Sequence, residues 1–452
     1  MKHLPLFSGR KLDEIFAWLP AGAVSVGRFL AEAQWLAGQL PAGEWLLNVC
    51  ENRYRFALGF VAGLLAGKTS LQPSSLSAET LHRMAADYPG ALCLCDGEFA
   101  AESLPCLRFP ELPERLPDIT GDIPKIATER VVAILFTSGS TGLPQPHRKT
   151  WGKLVQNAQA GAAALGLVGH PHNIIGTVPV QHSFGFESTF LLALHGGCAF
   201  WAGKPFFPQD IASALAAVPR PRLLVTTPFH LSALLAADIP LPAIDKLLSA
   251  TAPLSAETAS AAEARCAAPV HEIYGSTESG QIACRRTTQG PVWHLLPGIE
   301  LAQEAGNRDQ TWAFGGHVEG RIPLSDLIEL STDGKFLLLG RHADLINIAG
   351  RRTSLAYLNH QISAVPGVVD AAFFLPDETP DESKGEGITR LAAFVVAPTL
   401  DQRQLLAALR KRIDPIFLPR PLLLLPSLPR NSTGKLPRSA LQALFESTVQ
   451  HG

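Results

Sequence analysis

The stretch Val131-Val-Ala-Ile-Leu-Phe136, Thr137-Ser-Gly-Ser-Thr-Gly142, Leu143-Pro-Gln-Pro-His-Arg-Lys149 decides how this chain is read. Its first six residues, apolar and β-branched, read as a buried strand. Beyond it, Trp151, Leu154, Val155, Ala158, Ala162 and Leu165 recur at helical spacing, and Thr150 stands where a helix cap would. A strand entering a helix through a Gly/Ser/Thr loop is a common way to hold an anion. The glycines let the backbone come close, its N–H groups converge, and hydroxyls add donors. The loop is not a Walker A sequence, because Pro144 interrupts it and no Gly-Lys-Ser/Thr follows. On its own it reads equally well as a polar surface turn, so its meaning depends on the rest of the chain.

At 452 residues the length allows about two to four domains. Hydrophobic residues at 46% against 17% charged fit a soluble protein with large cores. A net charge of −2 gives no electrostatic reason to expect a nucleic-acid partner. The cysteines stand singly or as Cys93-x-Cys95, and their odd number, 7, argues against a disulfide framework. No signal-peptide core follows Met1, and the apolar run from Phe56 to Gly67 is too short for a membrane span. The expectation is a cytoplasmic protein with no membrane span.

Upstream of the loop, a helical stripe from Val24 to Leu40 precedes Trp45–Cys50 as a strand, Tyr54–Leu65 as a helix and Lys68–Leu71 as a strand. Such alternation predicts α/β architecture with parallel sheets covered by helices. Downstream, Ile174–Val178, Leu223–Thr226, Leu247–Leu254 and Val270–Tyr274 read as strands ending in small polar residues. The carboxyl ends of such strands are where open α/β sheets hold ligands. From Arg285 to Leu339 the pattern changes to short strands and turns, with Asp333-Gly334 a hairpin signal. A smaller unit follows, with a helix from Asp401 and the loop Arg430-Asn-Ser-Thr-Gly-Lys435.

Four motifs in order resemble the adenylate-forming (AMP-binding) superfamily of acyl-CoA and aryl-CoA synthetases, peptide-synthetase adenylation domains and luciferases. They are Thr137-Ser-Gly-Ser-Thr-Gly-x-Pro144, Tyr274-Gly-Ser-Thr-Glu278, Gly340-Arg-x-x-Asp344 with Gly350-x-Arg352, and Asn431-x-x-Gly-Lys435. The resemblance implies a large N-terminal domain of stacked mixed and parallel sheets with a small β region, over residues 1–341. A small mobile α+β lid would occupy 342–452.

It also implies a reaction. A carboxylate attacks the α-phosphate of ATP and departs as an acyl-adenylate, and a pantetheine thiol then takes the acyl group. Such phosphoryl transfer asks the protein for positioning and charge neutralisation. By resemblance, Thr137, Ser138, Gly139, Ser140, Thr141 and Gly142 hold the departing phosphates, and Glu278 coordinates Mg2+. Thr277 meets the α-phosphate, Tyr274 stacks on adenine, and Asp326 and Arg341 reach the ribose. Lys435 bridges carboxylate and α-phosphate oxygens. His182, Phe184, Ser249, Ala250 and Gly275 line the acyl pocket, and Gly350 with Arg352 serves the thiol step.

The implied cofactors are ATP and Mg2+, with CoA or the phosphopantetheine of an acidic acyl carrier protein as acceptor and a small carboxylic acid as substrate. Three departures stand out. Gln145-Pro146 replaces the family's Lys-Gly, which leaves Arg148 or Lys149 as substitutes for the missing charge. Ala343 stands at the hinge, and the stretch from Arg285 to Ser325 is short. They keep two other outcomes in view: adenylation without a thioester, and nucleotide binding without catalysis.

Overall fold

Short apolar strands alternating with helices do build parallel sheets here. The computed structural model describes residues 2–99, 103–116, 119, 121–138, 144–304, 307–331, 333–341, 345–348, 351–376, 391–430 and 436–449. They fall into two compact units. The first comprises Met1–Ala302, Trp312–Pro323 and Ser331–Lys335, and the second Gln303–Thr311, Leu324–Leu330 and Phe336–Gly452.

In the first unit one sheet runs in the order Pro144–Thr150, Val131–Ser138, Thr69–Gln72, Trp45–Asn48, Leu92–Cys95, Cys106–Arg108. All neighbours are parallel except the first pair. A second sheet has a parallel centre made of Val270–Ser276, Lys246–Ser249, Arg222–Thr226, Asn173–Gly176, Ala199–Trp201 and Ile15–Leu19. Antiparallel strands extend it on both sides, Gly280–Arg286 with Trp293–Leu295 on one and Gly22–Ser25 on the other.

Ile175, Leu224, Leu247 and Val270 bury one face of this sheet against Leu215, Leu231, Leu234 and Ala259 of the helices Pro208–Ala217, Pro228–Ala236 and Ala256–Cys266. Other helices tie the two sheets together. Arg53–Leu65 packs on the first sheet, while its Phe56 and Phe60 meet Phe186 and Phe190 at centroid separations of 5.3–6.4 Å. Those two rings belong to the π-helical turn Phe186–Leu191, which packs on the second sheet. Each buried ring contributes roughly 1.5–3 kcal/mol, so the layering rests mainly on these contacts. Helix Trp151–Ala164 likewise touches Pro144–Thr150 and Gly280–Arg286.

The expected strand–loop–helix is instead a hairpin. After the loop the chain returns as strand Pro144–Thr150, antiparallel to Val131–Ser138, before the helix begins at Trp151. Two prolines in seven residues argue against a strand, but this one is the sheet's edge, where a missing N–H costs little. Thr150 holds the N-cap position without a side-chain cap bond. Both its N–H and its hydroxyl donate to Glu319 Oε1, at 2.8 Å each.

Asp326–Leu330 pairs with Lys335–Arg341 in a hairpin, as the Asp333-Gly334 signal predicts. Gly334 adopts the positive φ, 72°, that such a turn requires. A sheet of Asp370–Phe374, Ala392–Val396 and Leu422–Leu424 packs through Phe373, Ala393 and Val395 on Leu358, Ile362, Leu405 and Leu409. Asp401 caps the helix Gln402–Leu409 reciprocally with Gln404. This is the stacked-sheet α/β architecture with an additional α+β unit that the sequence implies.

Candidate active site

The second sheet's strands deliver the site residues at their carboxyl ends. Ser249 ends one strand, with Ala250 just after it, and Tyr274, Gly275 and Ser276 end the next. Gly275 lies beside a bulge in the pairing with Gly280–Arg286, and a Cβ there would stand 2.3 Å from the Gly280 carbonyl oxygen. Only glycine fits so close a backbone approach.

The turn Thr277-Glu278 is clasped from both ends. Ser276 N donates to Ser279 Oγ at 3.2 Å, Ser279 N donates to Ser276 Oγ at 3.3 Å, and the two hydroxyls lie 3.0 Å apart. Lys149 Nζ donates to the Glu278 carbonyl at 2.8 Å. The Glu278 side chain remains 36% exposed, with His147 Nε2 3.8 Å from Oε1. The same nitrogen shares a hydrogen bond of 2.9 Å with Thr137 Oγ1. Burial holds the His147 imidazole below its ordinary pKa, the Glu278 charge pulls it up, and Lys149 pushes it down. Thr277 Oγ1 donates to Ser183 Oγ at 3.2 Å. Ser183 opens a short helical turn whose second residue, Phe184, donates its N–H to His182 Nδ1 at 3.3 Å. The structure thus brings Thr137, Thr277, Glu278, His182 and the buried Phe184 together through His147 and Ser183.

Tyr274 is tilted against Trp293, centroids 5.7 Å apart. The Arg285 guanidinium lies 4.4 Å over that indole and pairs with the buried Glu272 at 2.6 Å. Glu272 also accepts from Leu254 N at 3.0 Å and Thr287 Oγ1 at 3.0 Å. Burial raises its pKa, opposed by Arg285. This chain of contacts fixes the Tyr274 strand relative to the turn after Ser249. The Ser249 hydroxyl is fully buried, with no partner among the described residues. Thr251, two residues on, takes a left-handed φ of 78°, a strain found disproportionately at functional sites.

Asp326 and Arg341 are backbone register partners in the hairpin of Asp326–Leu330 with Lys335–Arg341. Arg352 lies on its strand Arg351–Ser354, and Ser138 ends the strand before the loop. Gly139, Ser140, Thr141, Gly142, Gly350, Lys435 and the Ala343 hinge lie outside the described residues. Arg430 and Arg438, on either side of residues 431–435, are held within their unit. Arg430 makes a two-pronged ion pair with Asp370 at 2.7 and 2.8 Å, and Arg438 donates to the Leu375 carbonyl at 3.0 Å.

Sequence reasoning missed His147 and Ser279. Alternation along Pro144–Thr150 places His147 and Lys149 on one face, a signal that becomes visible only once that segment is known to be a strand. Lys149 is 5% exposed and committed to a carbonyl, while Arg148 is exposed on the other face. A carboxylate is a hard oxygen ligand of the kind that suits Mg2+. Among the described residues no Lys or Arg lies within ion-pair distance of the Glu278 carboxylate to compete for it.

A family model of AMP-binding enzymes matches residues 45–305. The chain is 30% identical over 294 residues to a 4-coumarate–CoA ligase of Rhodobacter capsulatus, covering 65% of this chain and 70% of that one. It is 27% identical over 356 residues to a 4-chlorobenzoate–CoA ligase of Arthrobacter sp, covering 68% and 65% respectively. Its fold matches an o-succinylbenzoate CoA synthetase of Bacillus subtilis, solved with an acyl-adenylate intermediate. That match has a TM-score of 0.81, 18% identity, and coverage of 98% of this chain and 99% of that one. The motifs, the fold and these similarities agree, and the chain belongs to the family of AMP-binding enzymes.

Proposed function

We propose that this protein is an ATP-dependent acid–thiol ligase that activates an aryl or acyl carboxylate and passes it to a pantetheine thiol. The observation that carries the reading is the convergence of Thr137, Thr277 and Glu278 with His182 and Phe184 beside the Tyr274 strand. The names of the relatives, CoA ligases of aromatic acids, support an aryl substrate and CoA as acceptor.

In this reading a carboxylate oxygen bonds to the α-phosphorus of ATP while the bond to the bridging oxygen breaks, releasing pyrophosphate. The thiol then attacks the acyl carbonyl, loses its proton, and AMP departs. Thr137 and the loop Ser138–Gly142 hold the outgoing phosphates, with Thr277 at the α-phosphate and Tyr274 on the adenine. Glu278 would hold Mg2+, which when bound neutralises charge on the phosphates. Asp326 and Arg341 hold the ribose. Lys435 stabilises the charge that grows between carboxylate and α-phosphate. The segment 342–452, carrying Lys435, Gly350 and Arg352, acts as the lid that serves both steps. Ser249, Ala250 and Gly275 form the wall of the acyl pocket.

A second acceptor is favoured by one feature. Arg410, Lys411 and Arg412 are all exposed at the end of helix Gln402–Leu409, a basic run that suits an acidic acyl carrier protein. The test incubates the protein with ATP, Mg2+ and a panel of aryl and fatty acids, adding CoA or a phosphopantetheinylated carrier, and reads thioesters by mass. Acyl-CoA is expected with at least one aryl acid. Adenylate without either thioester would favour adenylation alone.

A further inference from the structure

On the edge strand Pro144–Thr150, Lys149 is 5% exposed, although such a strand offers ready access to water. A buried ammonium is costly unless it is paired and hydrogen-bonded. Its proton goes to the main-chain carbonyl of Glu278 at 2.8 Å. Burial lowers its pKa, opposed by the charges of three carboxylates, Glu187, Glu319 and Glu278. Each comes from a different part of the first unit. Glu187, itself 5% exposed, lies in the π-helical turn just after His182–Phe184. Glu319 also accepts both bonds from Thr150, the next residue along the strand.

The Glu187 carboxyl, pushed up to about 7 by burial and pulled back by Lys149, is further held by Asn157 and Gln281. Gln281 follows Gly280, whose φ of 73° closes the Glu278 turn. The ammonium therefore sits where the phosphate-loop hairpin, the Glu278 turn and the segment behind the acyl pocket meet. An ammonium so enclosed, aimed at a carbonyl, is not offered to a nucleotide phosphate.

Resting on the ligase reading above, we propose that Lys149 is a positioning residue that locks the Glu278 turn to the loop hairpin. Through that lock it sets the Glu278 carboxylate for the metal–nucleotide complex, without touching the nucleotide. The lysine on this strand thus does different work from the loop lysine that Gln145 replaces.

The test is calorimetric binding of ATP to the full chain, with and without Mg2+, for wild type, Lys149→Met, Glu278→Gln and the double variant. Lys149→Met should weaken the Mg2+-dependent tightening about tenfold, as loss of a charged hydrogen bond does, and leave metal-free binding unchanged. In the Glu278→Gln background it should cost nothing more, because both substitutions act through one carboxylate. Lys149→Gln keeps a donor on a shorter stem, should fall between, and carries the same comparison if Lys149→Met does not fold by circular dichroism. Additive losses, an equal loss without metal, or wild-type behaviour in a folded variant would each overturn the proposal. Absence of Mg2+-dependent ATP binding in the wild type would instead overturn the ligase reading, and this proposal with it.

Discussion

Thr137 Oγ1 and His147 Nε2 lie 2.9 Å apart across the loop hairpin, and the same nitrogen lies 3.8 Å from the Glu278 carboxylate. One imidazole thus connects the residue that opens the expected phosphate loop to the expected metal ligand. His147→Leu keeps the bulk and removes the link. Loss of one such bond costs about 1 kcal/mol, so the rate of adenylate formation should fall about fivefold in ATP–pyrophosphate exchange, with the KM for the acid unchanged. An unchanged rate would mean that the contact is only packing.

The Arg285–Glu272 pair, 2.6 Å apart and largely enclosed, links Tyr274, through Trp293, to Leu254. Arg285→Met should destabilise the first unit by about 3–5 kcal/mol, because it leaves a buried carboxylate without its partner. The double variant Arg285→Met/Glu272→Gln should recover part of that loss in urea denaturation. A double variant less stable than the single one would show that the pair acts otherwise.

Three buried histidines stay neutral in the folded chain. Burial lowers His195 to about 3 and His230 and His317 to about 4, from 6.5. Below pH 6.5 the unfolded chain binds protons that the folded chain refuses, so stability present above 6.5 is lost as the pH falls towards 4. Glu187, pushed up to about 7 from 4.5, works in the opposite direction across 4.5 to 7. Each such group contributes roughly 1.4 kcal/mol per pH unit, so three histidines outweigh Glu187 and Glu272, whose pKa burial also raises. The unfolding temperature should fall between pH 6.5 and 4.5, and His195→Gln should flatten the slope. An unchanged slope in that variant would contradict the assignment.

Much of this fold was legible because local pattern and long-range packing agree. Val131–Phe136, Trp45–Asn48 and Leu223–Thr226 are apolar runs that become central strands, and Asp401 with Gln404 spells out its own cap. The segment Pro144–Thr150 was not legible as a strand, since Pro144 and Pro146 signal a loop and only its place at the sheet edge makes them tolerable. Within the candidate site, Tyr274, Thr277 and Glu278 are the residues that the motif leads one to expect. His147, Ser279 and the burial of Lys149 depend on which strand lies beside which turn, which residue spacing does not encode.

The most direct measurement is acid-dependent ATP–pyrophosphate exchange across a panel of aryl and fatty acids, for the wild type and Lys435→Ala. Reversible exchange with at least one acid, reduced by several orders of magnitude in the variant, is the predicted result. Exchange with no acid at all, or a variant as active as the wild type, would contradict the account.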